Sequence, residues 1–234
     1  VIHKITKNGR LTNSNYIMKI IFCLPGASFS GRFLQCWTEL LGELPKVGIS
    51  YGLSQQYLCN IYHVRTKCLG ASLDRGTNQK PFGGEIDYDY IMWIDSDIVF
   101  KPEQFFKLID HDRDIISGLY MMQDNINYAT VEHMDEDFFA DNAYYRFLQR
   151  KDLKKKKGKL FRVDYTGMGW MLVKRGVFES FTYPWFYPRK KKYPNGWEEF
   201  VWDDVEFCHR ARDNNYDIWV DPNIIVGHEK TVVL

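Results

Sequence analysis

The chain has 234 residues, 45% hydrophobic and 16% aromatic, which suffices for one large α/β domain with a substantial core. Its 31 basic and 30 acidic side chains give a formal net charge of +1, which argues against a general nucleic-acid binder with its strong basic excess. The five cysteines are scattered and odd in number, as expected of reduced core residues in an intracellular protein, and no segment has transmembrane length or the make-up of a secretory signal.

Residues 1–17 are polar and aperiodic and read as a tail or an expression leftover, with the domain proper expected over 18–234. Lys19 to Leu24 is a short apolar strand, left through the loop Pro25-Gly26-Ala27-Ser28. Ser28 or Ser30 can cap the next helix, in which Phe33, Leu34, Trp37, Leu40, Leu41 and Leu44 recur at helical spacing. Val47 to Tyr51 reads as a second strand, Tyr57 to Leu69 as a helix carrying Asn60, His63, Arg65 and Lys67, and Gly70 to Gly84 as a turn-rich connection.

Tyr90 to Ile94 is apolar without alternation, as in a strand buried on both faces, and Asp95-Ser96-Asp97 follows directly. Lys101-Pro102-Glu103 then opens a helix that runs to His111. Strand, Asp-x-Asp, Pro and helix in this order place both acids on the carboxyl edge of an α/β sheet, where open folds bind ligands. Mg²⁺ or Mn²⁺ is commonly held by one or two carboxylates plus substrate phosphates, so the stretch reads as a seat for a metal and a diphosphate. The plain alternative is a turn whose side chains bond nearby backbone amides.

Further on, Asp114 to Met122 is another strand, and Asp124 to Arg150 is irregular, with His133 inside an acidic loop. Lys151 to Lys159 reads as a mobile, solvated basic loop. Arg189 to Lys192, near Trp185, Tyr187 and Tyr193, reads either as a patch that stacks on a sugar or base or as a mobile lid. Val163 to Phe178 holds glycines just before a buried strand, which lets backbone approach a ligand, with Thr166 and Trp170 able to add a hydroxyl and a stacking face. A tight turn entering a core strand explains the same glycines. Trp202 to Arg212 starts a helix with two acids, Asp203 and Asp204, of which capping accounts for one. Tyr216 to Val220 is the last strand, Asp221-Pro222 turns the chain, and His228 follows; imidazole is a good Mn²⁺ ligand as well as a common structural residue.

Taken in order, Pro25-Gly26, Ile94-Asp-Ser-Asp97, Thr166-Gly-Met-Gly-Trp170, Trp202-Asp-Asp-Val-Glu-Phe-Cys-His-Arg-Ala-Arg212, Trp219-Val-Asp-Pro222 and Gly227-His228 resemble the motif series of GT-A-fold glycosyltransferases. The resemblance covers nearly the whole chain, Met18 to Glu229, and is especially to the glycosyltransferase domains with which large chlorella-infecting DNA viruses build capsid glycans. It implies a single α/β domain with a Rossmann-like, mostly parallel central sheet flanked by helices. It implies Mn²⁺ or Mg²⁺ on Asp97 and His228, with Asp95 on the nucleotide ribose or on the metal through water. Pro25, Gly26, Ser28, Arg65 and Ser96 would contact the nucleotide, and Gly167, Gly169 and Trp170 would lie beside the donor sugar. Asp204 matches the carboxylate that serves as base in inverting members, and Asp203 stands where the family has Glu.

The reaction so implied moves a hexose or deoxyhexose, glucose or rhamnose, from a UDP-sugar to a glycan or glycoprotein acceptor. No nucleic-acid partner and no membrane span are expected, and the compartment implied is the cytoplasm, that of the host cell for a viral protein. Two other classes stand beside it: a nucleotidyltransferase acting on sugar phosphates and a non-catalytic glycan-binding module. The first calls for a Gly-rich basic loop after the first strand, where Pro25 to Arg32 offers only Gly26, Gly31 and Arg32.

Overall fold

Strands form where the apolar runs predict them, and their order in space brings the acids of two distant motifs to one edge. The structure, a computed structural model, describes residues 17–230 together with the backbone of Lys4–Ile5 and Leu11–Thr12, which pair antiparallel. The rest of the expected tail lies outside the described residues. The first half of the chain runs β1 (Met18–Pro25), α1 (Gly31–Glu43), β2 (Ile49–Gln56), α2 (Ile61–Cys68), β3 (Tyr90–Ile94), β4 (Ile98–Val99), α3 (Pro102–Asp110) and β5 (Ile115–Leu119). Then come β6 (Thr130–Val131), α4 (Glu136–Asn142), α5 (Arg150–Lys156), β7 (Phe161–Val163), β8 (Tyr165–Thr166), β9 (Trp170–Lys174) and α6 (Val177–Ser180). The chain closes with β10 (Lys190–Lys192), β11 (Glu198–Phe200), α7 (Asp203–Asp213), β12 (Ile218–Ile225) and β13 (Gly227–His228).

Seven strands make one sheet in the order β2-β1-β3-β9-β5-β12-β7, with β9 and β7 running against the other five. Successive side chains point to opposite faces. Ile20, Phe22 and Leu24 of β1 join Met92, Ile94, Trp170 and Leu172 under α1 and α3. Ile21 and Cys23 join Ile91, Trp93, Met171 and Val173 on the other face, against α2 and α7. Double burial explains the unbroken apolar run of β3, since each fully buried aliphatic side chain contributes about 1.5–3 kcal/mol. This is the single α/β domain with a Rossmann-like, mostly parallel central sheet that the motif series implied.

Local signals hold at most helix starts. The Ser30 hydroxyl accepts the Phe33 N–H at 3.0 Å, Asn60 accepts the His63 N–H at 3.3 Å, and the Gln104 side chain accepts the Lys101 N–H at 2.8 Å. Elsewhere tertiary pairing overrides the local reading. β2 begins at Ile49 rather than Val47 and continues through Gly52 to Gln56, because it pairs with β1 residue for residue from Met18↔Ile49 to Pro25↔Gln56. Asp221-Pro222 does not turn the chain: β12 runs through it with a shift of register between Val220 and Ile225, an irregularity of the kind that admits Pro in a sheet. The Lys151 run is helical over α5, started by the Asp152 carboxylate accepting the Gln149 N–H at 3.1 Å and tied by a Lys156–Glu132 ion pair. Arg189 to Lys192 is paired as well, β10 lying antiparallel to β11 with Lys191 bonded to Glu136 at 2.5 Å. Four of the five cysteines are buried and Cys59 is exposed; all five are free. Among the described residues no helix is long and apolar enough to cross a membrane.

Candidate active site

β3 delivers Asp95 to the carboxyl edge, and a turn closed by the Ile98 N–H on the Asp95 carbonyl, 3.1 Å, carries Ser96 and Asp97 outward. The loop after β1 abuts that turn. A Cβ on Gly26 would stand 2.6 Å from the Ser96 Cβ and 2.8 Å from its hydroxyl, so only glycine permits the approach. Pro25 is buried at the strand end, whereas Ser28 is exposed on the same loop.

The glycines before β9 make room for a side chain of the protein. A Cβ on Gly167 would meet the Tyr120 hydroxyl at 2.0 Å, and one on Gly169 would lie 3.1 Å from that ring and 3.2 Å from Asp95 Oδ2. Tyr120 thus reaches beneath Asp95, where its hydroxyl accepts the Gly169 N–H at 3.2 Å, while the Gly169 carbonyl accepts the Asp95 N–H at 3.0 Å. Trp170 is a correction to the sequence reading. It is fully buried with its ring 4.6 Å from that of Phe100, so it offers no face to a sugar; β9 lies mid-sheet, and its side chains go to the core. Thr166 is buried too, its hydroxyl bonded to that of Thr130 at 3.0 Å.

His228 reaches Asp97 because β13 pairs with β4, setting His228 opposite Ile98. Its Nδ1 lies 2.7 Å from the Met121 carbonyl, which can only accept, so Nδ1 carries a proton. The second ring nitrogen, Nε2, lies 3.2 Å from Asp97 Oδ2, so the two side chains meet at one point of the edge. Lys230 brings a positive charge to the same point, with Nζ 2.6 Å from that Oδ2. Burial works to raise the Asp97 pKa, but the hydrogen bonds from His228 and Lys230 prevail and hold it at about 2.

Asp95 faces the other way, to Arg65 of α2, whose Nη2 lies 3.2 Å from Asp95 Oδ1 while its Nε binds Asp203. Burial opposes the Arg65 charge, yet the fields of Asp95 and Asp203 carry its pKa above the ordinary value. Burial raises Asp95, and Arg65 offsets part of that rise. Asp203 is therefore explained by Arg65 and by the positive end of α7.

Asp204 is not so neutralised. Its Oδ2 accepts the Tyr165 hydroxyl at 2.9 Å and its Oδ1 the Val205 N–H at 2.8 Å. Burial and then the charge of Asp203 push its pKa up to about 7, against the hydrogen bonds that favour the ionised form. It lies on the wall of a cavity of about 820 Å³ lined largely by aromatic rings. Arg65 bridges Asp95 of one motif and Asp203 of the other, so the two halves of the edge form one site. Tyr120, Tyr165 and Lys230 are the participants that sequence reasoning passed over. Tyr165 and Lys230 adjoin motifs already singled out, Thr166-Gly167 and Gly227-His228.

Among the described residues no three His, Cys, Asp or Glu side chains converge in a metal-type cluster. Asp97 and His228 form a two-donor pair of oxygen and nitrogen, which suits Mn²⁺ in sites that draw their remaining ligands from phosphate oxygens and water. The anchored Nδ1 is the outer support that metal-binding imidazoles commonly have. These two residues fit a divalent cation that takes its other ligands from elsewhere.

Fold and site together define an α/β domain whose carboxyl edge joins the Asp97–His228 pair to a buried carboxyl that burial pushes upward. No protein-family model and no curated protein matches the chain. Among solved structures, A197 from STIV matches with a TM-score of 0.50 at 14% identity, over 93% of this chain and 96% of that one, and shares the fold. GalNAc-T7, solved with UDP, GalNAc and Mn²⁺, is similar with a TM-score of 0.49 at 12% identity over 94% of this chain, which spans 45% of that one. A Drosophila beta-1,4-galactosyltransferase 7 mutant in complex with manganese, UDP-Gal and xylobiose is similar with a TM-score of 0.49 at 13% identity, over 92% of this chain and 72% of that one.

Proposed function

We propose that the domain over residues 18–234 transfers a glycosyl group from a nucleoside diphosphate sugar to a hydroxyl of a carbohydrate acceptor, with a divalent cation held by Asp97 and His228. The observation that carries this reading is one sheet edge bearing both the Asp97–His228 pair and, over an aromatic cavity, the near-neutral carboxyl of Asp204. A bound cation would supply Lewis-acid neutralisation of the charge that gathers on the departing diphosphate.

The chain's own residues do the rest. Asp204 takes the proton of the acceptor hydroxyl as it attacks, and a pKa of about 7 matches that task near neutral pH. Tyr165 and the Val205 amide fix the orientation of the carboxyl. Arg65 holds Asp95 and Asp203 in place, so of these three acids Asp204 alone has no cation paired to it; direct attack from the face opposite the diphosphate would invert the anomeric centre. Lys230 adds a second positive charge beside Asp97 for the diphosphate. The motif resemblance favours UDP with a hexose or deoxyhexose, glucose or rhamnose, and a glycan or glycoprotein acceptor such as a viral capsid glycan. A nucleotidyltransferase finds little support, since Arg32, the only basic residue of the first loop, lies 3.8 Å from Glu229.

Mass spectrometry of the chain incubated with UDP-sugars, Mn²⁺ and oligosaccharides tests this. A product heavier by one glycosyl unit, lost on chelation, is expected; undiminished transfer after chelation, or donor hydrolysis with no transfer to any acceptor, would sink it.

A further inference from the structure

Six aromatic side chains are exposed by more than 40% among the described residues: Tyr51, Tyr57, Tyr144, Trp197, Phe200 and Trp202. The last four line the cavity beside Asp204. Large rings left in water on one rim cost the fold hydrophobic energy and mark a binding surface. They are not what holds the rim together. The β10–β11 hairpin that carries Trp197 and Phe200 is fastened elsewhere, by Tyr193 stacked on Phe139 at 4.5 Å, by Asn195 Nδ2 donating to the Ala140 carbonyl at 2.6 Å, and by Arg189 on the buried Glu206 at 2.8 Å. Trp197 is thus free to meet a ligand from a fixed support.

The charge of the lining decides which ligand. Glu198, Glu199, Asp203 and Asp204 are present, and no lysine, arginine or histidine. Lys190 neutralises Glu198 and Arg65 neutralises Asp203, but Glu199 bonds only the following amide, Phe200 N–H, at 2.8 Å, and Asp204 bonds a tyrosine and an amide. An anionic ligand would meet these carboxylates with no compensating cation. Sugar hydroxyls can donate to them, while the apolar C–H faces of sugar rings pack on Trp and Tyr. A volume of about 820 Å³ lies in the upper part of the roughly 300–1,000 Å³ range of small-molecule sites, room for more than one ring.

We infer that this cavity binds the acceptor as an uncharged oligosaccharide of two or more units, gripped by Trp197 and Trp202, and that it rejects acidic glycans. The acceptor role rests on the transferase reading above; the choice of neutral over acidic ligand rests on the lining itself.

Saturation-transfer NMR of the whole chain tests it, with neutral gluco-, xylo- and rhamno-oligosaccharides set against oligogalacturonate and a sulfated disaccharide. Neutral trisaccharides should bind and the acidic ones should not. Trp202→Ala should weaken binding by roughly tenfold or more, as truncation of an aromatic anchor does, and Tyr51→Ala on the distant β2 should leave it unchanged. Acidic glycans binding as tightly as neutral ones would overturn the inference, as would binding that survives both Trp202→Ala and Trp197→Ala. A thermal shift with UDP and Mn²⁺ is measured alongside. A retained shift with no glycan bound overturns the inference alone. Absence of any nucleotide shift removes the transferase reading, and the acceptor role falls with it.

Discussion

Replacing Asp204 by Asn separates the base from the fold. The shape is kept; the amide oxygen can still accept the Val205 N–H that lies 2.8 Å from Oδ1, and the Tyr165 hydroxyl, 2.9 Å from Oδ2, can turn to accept from the amide N–H. The capacity to take a proton goes. A positioned general base contributes about 10²–10⁴ in rate, so kcat should fall by that factor, or about 3–5 kcal/mol of barrier at 1.36 kcal/mol per decade, with nucleotide affinity unchanged. Stability should move the other way. The Asp204 pKa rises from 3.8 to about 7 on folding, so between those values the native state binds more protons than the unfolded chain. By linkage, stability then falls as pH rises through that window and the loss is complete above it, with a ceiling of about 4 kcal/mol for a shift of about 3 units. Asn carries no charge to bury, so Asp204→Asn should be the more stable protein at pH 8 and lose that advantage near pH 4. The assay pairs a pH profile of kcat/KM, rising through about 7 in the parent, with urea unfolding at both pH values. A variant with kcat within about threefold of the parent, or one less stable than the parent at pH 8, would refute the reasoning.

Three further perturbations probe the support of the site. Arg65→Ala strips Asp95 and Asp203 of their shared buried cation and should cost about 3–5 kcal/mol in urea unfolding; a loss below about 1 kcal/mol would show that these acids do not depend on it. Gly167→Ala sets a methyl 2.0 Å from the Tyr120 hydroxyl and should cost about 1–3 kcal/mol. Adding Tyr120→Phe should restore part of that, and an unchanged loss in the double variant would place the strain elsewhere. Asp97→Ala removes one of two cation donors and should abolish metal-dependent nucleotide binding by calorimetry; unchanged affinity would refute the metal assignment.

Much of the scaffold was legible because it depends on near neighbours. A short unbroken apolar run stopped by a turn reads as a strand buried on both faces, and Tyr90–Ile94 is that strand, with the Asp-x-Asp turn at its end. Two acids at a helix start marked α7 and Ser30 announced α1, whereas α2 begins at Ile61, capped by Asn60, rather than at the expected Tyr57. What stayed hidden depends on pairing across sequence. Tyr165 meets Asp204 only because β8 packs against α7, and Trp170 enters the core only because β9 inserts between β3 and β5. A tryptophan after two glycines reads as an exposed stacking face until its place in the sheet is known. The aromatic cavity is assembled from segments on α2, around α4, on the β10–β11 hairpin and at the start of α7, and no local pattern links them. Lys151–Lys159 misled for the opposite reason: charge alone suggested a solvated loop, while a single Asp152 bond and the Glu132 partner are enough to start a helix.

The most direct test of the central claim is calorimetric titration of the chain with UDP and with UDP-sugars, with and without Mn²⁺. Binding that appears only with the metal, and vanishes in Asp97→Ala, is the predicted result. Equal binding without metal, or no nucleotide binding under either condition, would contradict the assignment of this sheet edge to a metal-dependent sugar-nucleotide transferase.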